Sequence, residues 1–276
     1  MKNIFSSILL TSVLFLPTNA NASYLQHYGF ESNELQSSGF TTLGTTPTAW
    51  DPGTNTARLN DGTPAAGGAT WSIMSGGLST PFFDSHGGTT TDDITSLGFS
   101  QFTIEGIIDT VLDIWANHSN FTNLGQVADG NVSIGGSEAS GGHLGDIRIG
   151  ALQFDGPNGV LAHAYQPGTE SIFGGGGTVA GDVHLDSDED WLGGFDLATV
   201  LLHEFGHSLG LGHSSDVNAI MYPYYSGIRL ALGSDDIAGI QSIYGGPAVV
   251  PLPGAAILFL SSLGLFGFFA RRRVQI

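Results

Sequence analysis

The fold of this 276-residue chain is decided by the stretch VLLHEFGHSLGLGH, residues 200–213. The apolar residues on both sides of its histidines predict a buried helix. Residues four apart share one face of a helix, so His203 and His207 can offer imidazole nitrogens to one metal ion. Gly210 permits the sharp turn that brings His213 back as a third ligand. Three neutral imidazoles leave a fourth tetrahedral position open, which is typical of a catalytic zinc ion.

Glu204 lies one step round the same helix from His203. From there a carboxylate reaches a water molecule at the metal without being a ligand itself. The complete spacing, HExxHxxGxxH, is a zinc-protease signature. Two core histidines would explain a lone pair, but the glutamate, the glycine turn and the third histidine favour a metal site. We therefore predict that Glu204 is the general base of a zinc-dependent hydrolase.

The composition excludes several other chemistries. Asp and Glu number 25 against 7 Lys and Arg, which gives a net charge of −18 and argues against a basic surface that binds nucleic acid. The chain has no cysteine, which excludes disulfides, cysteine-ligated metals and a thiol nucleophile. The acidic excess indicates either a solvated surface that resists aggregation or carboxylates that hold calcium.

The two ends of the chain are predicted to be targeting segments. Residues 1–22 have a basic start, an apolar run and small residues before Ser23, which indicates a secretory signal peptide rather than a buried N-terminal helix. Residues 249–270 carry no charge and precede three arginines at 271–273, which predicts a transmembrane helix with the arginines in the cytoplasm. The rest of the chain is then expected outside the cytoplasm, extracellular or anchored at the cell surface.

The C-terminal tail also resembles a bacterial sorting signal. The sequence VPLP at 250–253, followed by the apolar segment and the arginines, is similar to the Val-Pro-Leu-Pro variant of the PEP-CTERM tails. Leu252 stands where the main family pattern has a glutamate. The resemblance implies an exosortase-type processing enzyme as a partner, and the alternative is a plain membrane anchor.

Between its ends the chain divides into a loop-rich segment at 23–65 and one domain at 66–246, followed by the tail at 247–276. The first segment is rich in Gly, Thr, Ser, Asn and Pro and shows little periodicity. The domain mixes strand and helix patterns, which favours a single α/β unit. Strands are predicted at 69–74, 146–153 and 159–165, and helices at 103–117, 198–210 and 235–244.

A methionine follows the third histidine, as Met221 in the sequence IMYP. Three further motifs accompany it, namely FDGPNGVLAHAY at 154–165, GDVHLD at 181–186 and DDIAGIQSIYG at 235–245. Together with the histidine helix they resemble the matrixins, the matrix-metalloproteinase-like members of the metzincin zinc peptidases. Pro223 favours matrixins within the metzincins, because astacins and serralysins carry a tyrosine there. The resemblance implies an α/β (α+β) metzincin-like fold with a twisted, mostly parallel sheet and two long helices.

The same resemblance implies a secreted or surface-anchored zinc metalloendopeptidase, in which a zinc-activated water attacks the peptide bond. Met221 would form a methionine turn beneath the zinc ion. The substrate would lie extended along a sheet edge, with Tyr222 and Pro223 in the wall of the pocket beyond the cut. Two other hypotheses remain open at this stage: a metal-stabilised extracellular adhesion or matrix domain with a vestigial protease site, and a purely structural surface protein.

The resemblance further implies structural calcium, a hard cation that takes oxygen ligands from carboxylates and loop carbonyls. The alternative is a set of acidic loops without metal. The residues implied for the first ion are Asp155, Gly156, Asn158, Val160, Asp186 and Glu189, and those for the second are Asp146 and Asp182.

Two departures from the family pattern concern a structural zinc ion and latency. His163 and His184 match two ligands of that zinc, but the loop that carries the other two is missing. Either the two histidines recruit another ligand, such as His143, or they are polar core or surface groups. Family zymogens use a propeptide thiolate, which this chain cannot supply. Either residues 23–65 mask the cleft by other contacts, or the enzyme is made active.

Overall fold

The computed structural model describes residues 24–28, 48–52, 57–59, 62–80, 89–134, 145–168 and 179–248. The strands are β1 (Tyr24–Tyr28), β2 (Thr48–Trp50), β3 (Ala57–Leu59), β4 (Gly67–Ile73), β5 (Phe121–Gln126), β6 (Ile147–Leu152), β7 (Val160–Tyr165) and β8 (Val183–Asp186). The helices are α1 (Gln101–His118), α2 (Leu197–Ser208) and α3 (Ser234–Tyr244), and a short 3-10 helix spans Ile94–Leu97.

The central sheet is mostly parallel, as predicted. Its strands run in the order β7-β8-β6-β4-β5, and among them only the β7–β8 pair is antiparallel. β1 pairs in parallel with β7 at the outer edge, and β2 and β3 form a separate antiparallel pair. Every residue of β6 and β8 is buried, as expected for inner strands that are covered on both faces.

α1 forms where the apolar spacing predicts a helix. Ser100 caps it by accepting a hydrogen bond from the Thr103 amide, which satisfies a donor that the helix leaves unpaired. The Trp115 indole donates to the Leu202 carbonyl at 3.0 Å and so joins α1 to α2. The buried face consists of Ile104, Ile108, Val111, Leu112 and Trp115.

α2 is the predicted histidine helix. Asp196 caps it through the Thr199 amide, and all but one of its twelve residues are buried. Gly206 allows a close approach, because a Cβ at this position would lie 2.2 Å from the Met221 Sδ atom. Gly210 has φ +104°, so the predicted glycine turn is present.

The hairpin β2–β3 is part of the core although it lies in the loop-rich segment. Trp50 is buried, and its indole donates to the Ser208 carbonyl at 2.8 Å. The Trp50 amide also donates to the Tyr244 hydroxyl at 3.1 Å, so β2 contacts the ends of both α2 and α3. The structured unit therefore reaches back at least to β2.

Both predicted targeting segments lie outside the described residues. They are residues 1–22 and residues 249–276, which include the sorting motif and the arginine cluster. Within the described part of the chain, no helix has both the length and the apolar character needed to cross a membrane.

Candidate metal centre

The three histidines of the signature converge. One ring nitrogen from each of His203, His207 and His213 lies within 4.8 Å of the others, and the first two side chains are fully buried. The Nε2 atoms of His203 and His207 are 3.1 Å apart. Within the described ranges, this is the one cluster of three or more His, Asp or Glu residues with ligand atoms this close. The local spacing of the sequence therefore produces the predicted constellation.

Backbone carbonyls fix the tautomers of the two helix histidines. The Nδ1 atom of His203 is 2.7 Å from the Ile220 carbonyl, and that of His207 is 2.7 Å from the Leu211 carbonyl. A carbonyl oxygen only accepts, so each Nδ1 must carry the proton. In the neutral rings each Nε2 then presents a lone pair, which is the form that binds metal.

This arrangement fits a zinc ion. Two lone pairs facing each other at 3.1 Å repel unless a cation lies between them. Nitrogens at about 2.0–2.1 Å from a tetrahedral zinc ion are roughly 3.3 Å apart, close to the observed separation. The described residues supply three nitrogen ligands, and the fourth position is left for water or substrate.

Glu204 lies in the same helix and has no exposed surface. Neither of its carboxylate oxygens has a hydrogen-bond partner among the described residues. Burial raises the pKa of Glu204 well above its ordinary range, and a cation at the histidines would favour the ionised form. A buried carboxylate without partners costs stability, so its presence here points to chemistry.

The methionine turn packs beneath the histidine helix. Met221 is buried, and its carbonyl accepts a hydrogen bond from the Ser214 amide at 2.8 Å. Asp236 holds the turn by accepting from the amides of Ile220 at 2.7 Å and Met221 at 3.1 Å. Burial raises the pKa of Asp236, against the lowering effect of these amide donors. Sequence reasoning did not single out Asp236, although an acidic residue in the first turn of α3 was visible in the motif DDIAGI.

A small pocket lies beside His203. Its wall includes Tyr222, as predicted, whereas Pro223 is half-buried and does not line it. The rest of the lining comes from the start of α2, from the segment just before Met221 and from the loop after it, with Thr199, Ala219, Ile220, Tyr224, Tyr225, Ser226, Gly227 and Arg229. Sequence reasoning missed Thr199 and Arg229, because nothing in their local sequence marks them as neighbours.

The first set of predicted calcium ligands gathers around one loop. Asp155 accepts from the Val160 amide, and Glu189 accepts from the Gly159 amide, each at 3.0 Å. Asp186 is fully buried, and burial, with smaller effects from Asp188 and Glu189, raises its pKa to about 6. Crowded carboxylates of this kind favour a cation. Gly156 and Asn158 both have positive φ, at +86° and +66°, which shapes the loop whose carbonyls were predicted as ligands.

The second predicted pair, Asp146 and Asp182, has different partners. Asp146 accepts from the amide and hydroxyl of Thr70, both at 2.7 Å. Asp182 is fully buried, 3.9 Å from Nη1 of Arg148 and 3.7 Å from Nε2 of His184. Burial raises the pKa of Asp182, and His184 and Arg148 act against that rise. An internal guanidinium therefore already faces one of the two predicted ligands.

Arg148 belongs to a buried ion pair that the sequence did not predict. Its guanidinium donates to both carboxylate oxygens of Asp129, at 2.8 and 2.9 Å, and to the Val132 carbonyl at 2.8 Å. Both charged side chains are almost fully buried. Two parallel hydrogen bonds of this kind form a specific and strong pair.

His163 and His184 are brought together as a buried pair on neighbouring strands. Nε2 of His163 lies 2.8 Å from Nδ1 of His184, so one ring donates to the other. His163 also stacks on Phe154 with ring centroids 4.8 Å apart. His143, the predicted additional ligand, lies outside the described residues.

Comparison with known proteins identifies the relatives of this arrangement. The sequence model of the matrixin family, Peptidase_M10, matches residues 91–245, more than half of the chain. Interstitial collagenase of Equus caballus is 41% identical over 146 residues, which are 51% of this chain and 28% of that protein. Stromelysin-1 of Mus musculus is 39% identical over 155 residues, 54% of this chain and 30% of that protein. Neutrophil collagenase of Homo sapiens is 50% identical over 98 residues, 33% of this chain and 19% of that protein. The chain thus spans less than a third of the length of these curated relatives.

Proposed function

Because the chain belongs to the matrixin family, we propose that it is a zinc-dependent metalloendopeptidase that hydrolyses peptide bonds in proteins or peptides. The observation that carries the proposal is the convergence of three histidine nitrogens, two of them from the helix that also holds Glu204. The relatives are named collagenases and a stromelysin, and the proposal takes from them only the reaction class.

The residues of the chain divide the work as follows. Zinc, when bound, supplies a Lewis acid for the scissile carbonyl and for the attacking water. Glu204 accepts the proton of that water as it attacks and delivers it to the leaving amine. The carbonyls of Ile220 and Leu211 keep the Nδ1 protons of His203 and His207 in place, so that both Nε2 atoms face the metal. Burial raises the pKa of Glu204, which makes its carboxylate a stronger base than an exposed one.

The sheet edge at β7 is the proposed place for an extended substrate. α2 packs against β7, so this edge lies beside the histidine helix. Main-chain pairing at an edge gives affinity with little sequence selectivity. β1 pairs with the same strand, so substrate pairing along its full length requires β1 to leave.

We also retain the finer hypotheses on ions and location as proposals. Calcium would bind at the loop of Asp155, Asp186 and Glu189, where crowded carboxylates support a cation. A second calcium ion at Asp146 and Asp182 is supported only by the family resemblance. Export through residues 1–22, membrane association through 249–270 and processing of the tail by an exosortase-type enzyme are supported by the sequence pattern.

The test is a Glu204→Gln variant, which keeps the shape of the side chain and removes its basicity. We expect peptide hydrolysis to be lost while zinc remains bound, as measured by a quenched fluorescent peptide mixture and by metal analysis. Glu105→Gln on α1 is the matched control, because it makes the same change at a partly exposed site and should leave hydrolysis intact. Hydrolysis that survives Glu204→Gln or zinc chelation would contradict the proposed mechanism. A wild-type protein that binds zinc but hydrolyses no peptide would contradict the proposal and favour a vestigial site in an adhesion domain.

A further inference from the structure

We propose that Arg229 and Thr199 close the pocket beside His203, so that the enzyme cleaves before small residues, namely glycine, alanine and serine. The inference rests on the proposed function and names the substrate class of the same site. It concerns the side chain that follows the cleaved bond, because the family resemblance implies that this side chain enters the pocket walled by Tyr222, which lines the cavity beside His203.

The pocket is too small for a large side chain. Its cavity volume is about 10 Å³, which accommodates roughly one water molecule. A methyl or hydroxymethyl group has a similar size, whereas leucine or phenylalanine would have to displace part of the wall. His203 lies in the wall, so the closed space begins directly beside the metal ligands.

The loop after Met221, which contains Tyr225 and Arg229, is fixed to the start of α2 by hydrogen bonds. The Arg229 amide donates to the Thr199 hydroxyl at 2.9 Å, and that hydroxyl donates to the helix cap Asp196 at 2.6 Å. The Tyr225 hydroxyl accepts from the Asp196 amide at 3.0 Å, and its ring packs on Phe195. The loop that closes the pocket is therefore attached to the histidine helix at two points.

The Arg229 side chain binds the segment that precedes Met221. Its Nη1 atom donates to the Val217 carbonyl at 2.6 Å and to the Ala219 carbonyl at 3.2 Å. Ala219 lines the pocket, so the guanidinium connects the segment before the methionine turn to the loop after it. A side chain that extends deeper into the pocket must separate these two segments and break charge-assisted hydrogen bonds.

Pocket size alone gives measurable selectivity. One methylene more or less in an enclosed pocket changes kcat/KM by about 10-fold or more. We therefore expect the wild-type protein to cleave before alanine or serine at least about 10-fold faster than before leucine. Replacing Arg229 with alanine removes both side-chain hydrogen bonds and the bulk of the closing group, so it should favour leucine.

The experiment measures cleavage of a peptide mixture that varies only the residue after the cleaved bond, with products identified by mass spectrometry. Wild type, Arg229→Ala and Ile228→Ala are compared. Ile228 is the exposed neighbour of Arg229 and does not line the pocket, so its variant should keep the wild-type profile. We expect Arg229→Ala to raise the leucine-to-alanine ratio of kcat/KM by about 10-fold.

The outcomes separate this inference from the proposed function. A wild-type preference for leucine or phenylalanine contradicts the inference and leaves the peptidase intact, and this result needs no variant to fold. An unchanged ratio in folded Arg229→Ala, judged by its thermal unfolding, also contradicts it. The absence of zinc-dependent cleavage in the whole mixture contradicts the proposed function and this inference together.

Discussion

The molecule contains two buried groups of histidines that differ in how their ring nitrogens are used. In the group on α2, backbone carbonyls hold the outer nitrogens of His203 and His207, and the inner nitrogens face each other. In the pair on β7 and β8, His163 and His184 bond directly to each other. In the first group the inner nitrogens of His203 and His207 both keep lone pairs, which favours a bound cation between them. In the second group one ring donates its proton to a lone pair of the other. Two neighbouring histidines therefore do not define a metal site by themselves. The hydrogen bond at one nitrogen of each ring decides whether the other nitrogen has a lone pair for a metal ion.

Charge separates the two regions further. Close to the β7–β8 pair, Asp182 faces the Arg148 guanidinium, which also binds Asp129. In that region the positive charge comes from a side chain of the protein, Arg148. Glu204 on α2 has no such partner among the described residues, so a bound cation would supply the positive charge that this region lacks. Variants that change one member of each region at a time test this difference.

The largest effect is expected from removing one histidine of each group. His207→Ala should abolish binding of the zinc ion on α2 and lower hydrolysis by more than about 100-fold, the upper range for loss of an outer-shell partner. His184→Ala should keep that zinc ion and most of the activity of the folded fraction. Metal analysis and peptide hydrolysis measure both. If the wild type binds two zinc ions and His184→Ala binds only one, the pair on β7 and β8 is a metal site as well.

The next largest effect is expected on stability, from removal of the buried Arg148 guanidinium. Arg148→Met leaves Asp129 and Asp182 buried without their partner, so we expect the free energy of unfolding to fall by about 3–5 kcal/mol. Denaturation by urea measures the change. The double variant Arg148→Met with Asp129→Asn removes one of the two stranded charges and should recover part of the loss. A single variant as stable as wild type would mean that the guanidinium contributes nothing to this region.

The sequence predicted the α2 group well because its ligands are local. All three histidines and Glu204 lie within eleven residues, and helical periodicity with one glycine turn fixes their geometry. The close approach of α2 to Met221 follows from Gly206, whose importance only the structure reveals. Local patterns therefore predicted both the mixed α/β fold and the cluster of three histidines.

The other region could not be predicted in the same way because its partners are distant in sequence. Arg148 reaches Asp182 through the register of β6 beside β8, in which Ile149 pairs with Val183. Its other partner, Asp129, lies in the segment after β5. The strand β5 was missed because four of its six residues are polar or glycine, and β8 because four residues give little periodicity. Long-range pairing sets these contacts, and single-sequence patterns do not encode it.

A smaller effect is expected at the loop of Asp155, Asp186 and Glu189, for which we propose calcium binding. The pKa of Asp186 is raised to about 6 from an ordinary value of 3.8, so the folded calcium-free protein binds a proton that the unfolded chain releases. Its stability should fall as pH rises from about 4 to about 6, by up to about 3 kcal/mol. Calcium favours the ionised carboxylate and should remove this loss. Urea unfolding with a calcium-selective chelator measures the change, and Asp186→Asn should flatten the profile. A profile that calcium does not alter would contradict ion binding at this loop.

The smallest effect concerns β7, the strand that carries His163 and also packs against the α2 group. β1 pairs with β7 in parallel, with Gln26 opposite His163. If β1 covers the edge that substrate uses, the apparent affinity for substrate is lowered in proportion to the covered fraction. Shortening the exported chain so that it begins at residue 47 should therefore lower KM several-fold with little change in kcat. The zinc content and the stability contributed by Arg148 should stay the same, because β2 and the core remain. An unchanged KM would place the substrate away from β7, and a lowered kcat would mean that β1 supports the α2 group rather than covering its edge.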